Sequence, residues 1–301
     1  KIATFQHDSR GTGEMYMVST KSGHPELMQW KYPLPGDSLI FRISRVIINV
    51  KDASMIRLKI PPDQHRSTSD DHIAGRGGKF LDVRWSEDTK NLAFVSSSRD
   101  HKEAKIRLAN ATTGEVRDIM KEVQKTYFES GDGFSNWHYL SETNEVIWFS
   151  ERDNWGHLYL IDLKTGKIKN RITKGEWAVQ QVRYVDRKNR KIYFSAGGKE
   201  DGNPYYWYYY SVNMDGSKLK LLTPEYAHHT VNFSPKYKYL SISVIISKLY
   251  IDPDGLTGIK VPLLFIIYFF FEIYFHIEHM YCYIVKNTML YNETTGYSLR
   301  T

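Results

Sequence analysis

The 301 residues are 41% hydrophobic and 14% aromatic, enough apolar content for a sizeable core and too regularly patterned for a disordered tail. The formal charge is +7, but Lys and Arg are scattered over turns with Asp and Glu between them, which argues against a nucleic-acid-binding stripe. Cys282 is the single cysteine, so there is neither an internal disulfide nor a metal site of paired cysteines.

Taken in order, Lys1 to His7 reads as a strand already under way, without an initiator methionine or a basic-then-apolar leader. The chain is therefore expected to be a piece of a longer protein. EMYMVST from Glu14 is a second strand. KYPLPGD from Lys31 is a connection, because Pro33 and Pro35 cannot donate to a central ladder. RVIINV from Arg45 alternates through Val46, Ile48 and Val50 and is a strand. Pro61 to Gly78, rich in Pro, Asp, Ser and Gly, is expected to be a long excursion. Its His65 and His72 lie among Asp63, Asp70 and Asp71 with no cysteine nearby, a composition that suits a solvated turn better than a metal site.

From Phe80 to about Glu225 the chain repeats itself. The hairpin glycines Gly114 (NATTGEV), Gly166 (DLKTGKI) and Gly216 (NMDGSKL) follow one another at roughly fifty residues, a period in the range of propeller blades. Before each hairpin stands a strand, in NLAFVSS, EVIWFSE and KIYFSAG, with YLSISVI as a further member. Ahead of these stand VRWSEDTKN, QVRYVDRKN and VNFSPKYK. Each repeat holds about four short strands, so the fold is expected to be all-β, a partial β-propeller of about four to five four-stranded blades. The loop from Tyr127 to Leu140 carries Gly131 and Gly133 beside Phe134 and Trp137. Loops of this kind face a channel or a partner, although both aromatics also suit inter-blade packing. YYWYYY, Tyr205 to Tyr210, falls where the repeat places a blade strand, so packing explains it better than base stacking.

WFSERDNWGHLYLIDLKTGKIKNRITKGEW, with the earlier KYPLPGD and the later VNMDGSKLKLLTPEYAHHTVNFSPKYKYL, resembles the N-terminal propeller domain of the dipeptidyl peptidase IV family of serine exopeptidases. The resemblance covers about Lys1 to Ser247. It implies an arc of an eight-bladed propeller that caps an α/β-hydrolase domain, in an enzyme releasing dipeptides from peptide N-termini through a Ser, Asp, His triad. It further implies a peptide substrate reached through that hydrolase domain, a homodimer in the complete protein, and a secreted, periplasmic or membrane-attached location. The family's glutamate pair for the substrate's amino terminus and its arginine would both precede KIATFQHD, so no match is carried over. A later substrate-facing loop of the family corresponds loosely to Ser130 to Trp137, which leaves Phe134 as the one candidate substrate contact. The G-x-S-x-G nucleophile turn has only partial matches, at GFSNW and GYSLR, and neither has the closing glycine. Ser135 and Ser298 are rejected as nucleophiles, no catalytic residue is assigned, and the chain alone is expected to be inactive. The alternative is a non-catalytic propeller that binds a protein or peptide.

The chain is divided at about residue 250. Residues 251–301 depart from the family, and from Val261 they run VPLLFIIYFFFEIYFHIEHMYCYIVKN. The uninterrupted apolar run is shorter than the twenty or so residues of a membrane span. The segment is expected to be a non-homologous end from a frameshift, intron read-through or assembly error. A tail anchor and a strand pair are the alternatives, so membrane association stays open at this point. His276 and His279 with Glu272 have helical spacing for a metal, which is read as chance. No metal and no cofactor are expected.

Overall fold

The computed structural model describes residues 1–65, 82–128, 137–233, 239–245, 266–272 and 282–283, and every regular element among them is a strand. β1 (Ile2–Asp8) is followed by a separate hairpin of β2 (Glu14–Val18) and β3 (Leu27–Lys31). The chain then returns as β4 (Phe41–Ile48), which pairs antiparallel with β1, while β5 (Met55–Arg57) and β6 (Asp63–His65) share the other edge of β4. Four antiparallel meanders follow. The second sheet runs β7 (Val83–Trp85), β8 (Asn91–Ser97), β9 (Glu103–Asn110), β10 (Val116–Val123), and the third β11 (His138–Leu140), β12 (Glu145–Ser150), β13 (His157–Asp162), β14 (Ile168–Arg171). The fourth holds β15 (Ala178–Asp186), β16 (Lys191–Gly197), β17 (Trp207–Asn213), β18 (Lys220–Leu221). In the fifth, β19 (His228–Phe233) and β20 (Tyr239–Ile245) are joined by β21 (Ile266–Glu272) and β22 (Cys282–Tyr283).

Alternation along the central strands makes these sheets into stacked blades. In β12 every residue is buried. Val146 and Trp148 join a core with Ala93, Val95 and Ile106 of the second sheet, while Ile147 and Phe149 join a core with Ile192, Phe194 and Tyr210 of the fourth. Successive side chains point to opposite faces, so a strand apolar on both faces must be covered on both. The tyrosine cluster obeys the same rule. Tyr208 and Tyr210 face the third sheet, and Tyr209 turns to Val231 and Ile242 of the fifth and to Ala227 just before it. Tyr205, however, precedes the strand and is 84% exposed.

Two contacts repeat at the blade period. A threonine hydroxyl on the outer connection accepts the backbone N–H of the third strand, Thr173 from Leu158 at 3.0 Å and Thr223 from Tyr209 at 2.9 Å. Each hairpin glycine rests on the outer edge of the preceding sheet, Gly114 on the Arg57 carbonyl, Gly166 on that of Ile119 and Gly216 on that of Arg171. The turns after the first strands converge instead. Arg187, after β15, reaches Glu142, after β11, at 3.0 Å and Glu87, after β7, at 3.4 Å. One guanidinium can touch three consecutive sheets only where their first strands crowd together, so these strands line the inner side of the arc. The architecture is a partial β-propeller.

One expectation is corrected. The stretch from Pro61 contains β6, and Asp63 on it is not solvated: its side chain is 9% exposed and is held by Arg45 at 3.3 Å, Arg107 at 3.5 Å and the Ser96 hydroxyl at 2.8 Å. The reason is Arg45, a buried cation of β4 that also pairs with Asp82, donates to the Val95 carbonyl at 3.1 Å and lies 4.7 Å from the Phe94 ring centre. A charge this deep needs counter-charges, and Asp63 and Asp82 supply them from both sides of the first inter-blade seam. Asp70, Asp71 and His72 lie outside the described residues.

Burial raises the Asp82 carboxyl from its ordinary 3.8 to about 6, against the pull of Arg45. The group prefers its proton when folded, so its contribution to stability is fully present below pH 3.8 and is lost as pH rises through about 6. The charged groups facing it are Arg45 on β4 and Asp63 on β6, with Arg84 on β7 nearby. Asp82→Asn is expected to flatten the pH dependence of the urea midpoint between about pH 4 and 6. An unchanged slope in that window would refute the assignment.

Candidate functional site

Because strands alternate in direction, the connections split between two faces of the arc. Residues 98–102, 124–128, 151–156, 173–177, 198–206 and 223–227 emerge together. Their shared face is marked by hydrogen bonds from Phe128 N to His101 O, at 2.5 Å, and from Val179 N to Gly156 O, at 2.8 Å. This face holds a polar cleft of about 630 Å³ lined by Lys121, Glu122, Gln124, Lys125, Arg152 and Asn154, among others.

Glu122 anchors the cleft. It sits near the end of β10, is 6% exposed, and accepts from the Trp148 indole N–H at 2.8 Å, the Ser150 hydroxyl at 2.5 Å, Arg152 at 2.6 Å and Gln124 at 2.7 Å. Charge-assisted bonds of this kind are strong, and together they tie the outer strand of the second sheet to β12 of the third. Arg152 is held between Glu122 and the Tyr159 ring, 4.7 Å from the ring centre. Cation and ring together orient the guanidinium, and Lys121 and Lys125 add exposed positive charge beside it. The arrangement can hold a polar or carboxylate-bearing group through donors.

The histidines of this face are committed elsewhere. His157 Nε2–H donates to the Gly175 carbonyl at 2.9 Å, so Nδ1 accepts from the Thr173 hydroxyl at 3.0 Å, and burial lowers its pKa. The His229 ring Nδ1 faces the Trp207 carbonyl at 3.2 Å, and His228 Nδ1 accepts the Trp207 N–H at 3.3 Å. On the inner strand β11, burial pushes His138 down to about 3, and Arg84 and Arg187 add to the shift. None of these four is placed to act as a general base beside a serine. Among the described residues no group of three or more His, Cys, Asp or Glu could hold a metal ion.

Phe134, the one candidate substrate contact, lies outside the described residues, as do Ser135, Ser298, His276 and His279. Trp137 is 6% exposed and belongs to the core between the second and third sheets, with the Arg84 guanidinium 5.1 Å from its ring centre. Sequence reasoning missed Glu122 and Arg152. The available signal was weak, an acidic residue in an outer strand and an arginine in a polar turn, and their meeting depends on how two sheets stack.

The fold and this loop face define a class, a β-propeller arc whose connections on one face build a polar cleft. Residues 1–245 match the family described as the dipeptidyl peptidase IV (DPP IV) N-terminal region, and the chain belongs to that family. A dipeptidyl peptidase 4 of Trichophyton rubrum is 31% identical over 142 residues, which is 43% of this chain and 17% of the relative. One of Arthroderma otae is 31% identical over 120 residues, 37% of this chain and 15% of the relative. The chain thus spans under a fifth of the length of these curated relatives. Among solved structures, Porphyromonas gingivalis dipeptidyl peptidase 4 superposes with a TM-score of 0.66 at 19% identity, over 90% of this chain and 33% of that one. A putative dipeptidyl aminopeptidase IV from Bacteroides ovatus gives 0.63 at 20% identity, over 81% and 34%. At these identities the two structures speak to the fold.

Proposed function

We propose that this chain is the substrate-gating propeller portion of a dipeptidyl peptidase IV-like serine protease, whose catalytic α/β-hydrolase domain lies outside these 301 residues. The observation that carries this reading is the family match over residues 1–245, which coincides with the arc of stacked blades. In the complete enzyme the loop face admits short peptides and orients their amino ends, while the serine, aspartate and histidine of the other domain carry out acyl transfer. The reading divides the chain at about residue 250, and the end of the family match at 245 is what supports it. β21 and β22, which follow that point, extend the fifth sheet beyond β20. The location is extracytoplasmic. No helix among the described residues is long and apolar enough to cross a membrane.

The test is to read the coding sequence on both sides and assay the extended product. An upstream glutamate pair, a downstream G-x-S-x-G turn and release of dipeptides from a substrate with proline in second position are expected, with no release by the 301-residue chain. Stops on both sides would replace this reading with that of a non-catalytic binding module.

The same reading includes a homodimer, and the β2–β3 hairpin is the surface that supports it. Among the described residues it pairs with no other sheet, and Tyr16, Met17, Val18, Leu27, Met28 and Trp30 are each at least 38% exposed. An apolar ribbon of this kind is an association surface. Leu27→Asp with Met28→Asp is expected to convert a dimer to a monomer in sedimentation equilibrium. A double variant that stays dimeric would place the interface elsewhere.

A further inference from the structure

Three stretches of the chain read Asn-x-Ser/Thr with x other than proline: Asn110-Ala111-Thr112, Asn232-Phe233-Ser234 and Asn292-Glu293-Thr294. In a chain that passes through a secretory compartment this pattern is an acceptor for N-linked oligosaccharide, provided that the asparagine ends on an open surface. The fold separates the first two, and the third lies outside the described residues. Asn232 lies on β19, a first strand of the inner side. Its Oδ1 faces Arg183 at 3.5 Å, and its neighbour Phe233 packs against Tyr184 and Tyr193. Asn232 is itself exposed, but it stands inside a paired strand opposite Ser241 and not on a turn. Asn110 is at the exposed tip between β9 and β10, and Thr112 is exposed beside it.

The side chain of Asn110 is used on one side only. Its Oδ1 accepts the N–H groups of Thr112 at 2.8 Å and Thr113 at 3.0 Å, and among the described residues its Nδ2 has no hydrogen-bond partner. The turn itself does not require an asparagine. At the matching turn of the next blade Asp162 does the same work, its Oδ1 accepting the Lys164 N–H at 2.8 Å. At the turn after that Asn213 spends its Nδ2 on the Ser217 hydroxyl at 2.9 Å. An amide nitrogen that the fold leaves unused, on a solvent-exposed turn, followed by alanine and threonine, is the chemistry of an acceptor.

We propose that Asn110 is a site of N-linked glycosylation. The donor is an oligosaccharide carried on a polyprenyl diphosphate. The Nδ2 forms a bond to the anomeric carbon, the bond from that carbon to the diphosphate oxygen breaks, the lipid diphosphate leaves with the electron pair, and the amide releases one proton. The carbonyl oxygen is untouched, so both turn hydrogen bonds survive the modification. The glycan emerges at a hairpin tip whose other side is fixed to the first sheet, through Lys59 N donating to Gly114 O and the Lys1 ammonium donating to Ala111 O. This inference rests on the extracytoplasmic location proposed above, and does not need the chain to take part in peptide hydrolysis.

The full chain would be secreted from a eukaryotic host behind a heterologous leader, and the Asn110 peptide followed by mass spectrometry with and without peptide N-glycosidase. A glycan at Asn110, converted to aspartate on release, is expected. N110D, which keeps the turn in the form Asp162 already shows, should abolish that modification without moving the urea midpoint of the enzymatically deglycosylated chain. T112A should abolish it and T112S preserve it. A bare Asn110 while a co-expressed secreted control is glycosylated overturns the proposal. So does a secreted, folded chain that carries its glycan at Asn232 with Asn110 bare.

Discussion

Valine in place of Gly166 is expected to destabilise the chain by about 3 kcal/mol or more, read as a drop in the urea midpoint. Two costs combine. Gly166 has φ +70°, a left-handed conformation that costs an L-residue about 1–2 kcal/mol, and more for a β-branched one. An added Cβ would also run into the Ile119 carbonyl on the outer edge of the second sheet, and relieving that overlap costs a further 1–3 kcal/mol or so. The second cost is the informative one, because it measures how closely one blade is docked on the last. Gly198 separates the two: its φ is +79° but nothing lies within 4 Å of an added Cβ. Gly198→Val should therefore show the backbone cost alone. Equal losses at the two positions would mean that the hairpin glycine serves its own turn and not the blade contact.

Arg45→Met is expected to cost about 3–5 kcal/mol, because it strands Asp82 and half-strands Asp63 in the first inter-blade seam. Methionine keeps the length of the apolar stem but removes the bonds to Asp63, Asp82 and the Val95 carbonyl. Arg107 still faces Asp63 at 3.5 Å, so Asp82, 1% exposed, bears most of the loss. Replacing both members of a buried pair by apolar groups is far less costly than removing one. Arg45→Met with Asp82→Leu should thus recover most of the loss. A double variant as unstable as the single would show that the stem and its contact with Phe94, not the charge pairing, hold the seam.

The blade repeat was legible because its signals are local. Alternation in EVIWFS, Asp and Asn at hairpin starts and glycine at hairpin ends all lie within a few residues of one another, and their recurrence at about fifty residues needs no tertiary knowledge. Even the split roles of Tyr208, Tyr209 and Tyr210 follow from period-two geometry once a strand is placed there. Asp63 was misread for the opposite reason. A short strand in a stretch of Pro, Asp and Ser carries no alternation to detect, and its burial depends on an arginine eighteen residues away in sequence.

The site was much less legible than the fold. Glu122 and Arg152 meet across thirty positions, and neither local stretch marks the other. The histidines of the loop face look available in the sequence, yet His157 finds Thr173 and the Gly175 carbonyl within its blade, and His228 and His229 find the backbone of Trp207 on the preceding one. Of the hairpin only β2 is read as a strand in the sequence, while β3 is not marked there, and it is the exposure of their apolar residues, on a hairpin that pairs with no other sheet among the described residues, that shows they face outward.

By itself, then, the sequence determined an all-β repeat, the spacing of its blades and the positions of its turns, because strand period and turn chemistry are properties of neighbouring residues. Which buried charges pair, which loops share a face, and which asparagine keeps a free amide on the surface were decided by the tertiary structure alone. Those outcomes depend on how one sheet stacks on the next, and stacking brings together residues that no local pattern connects.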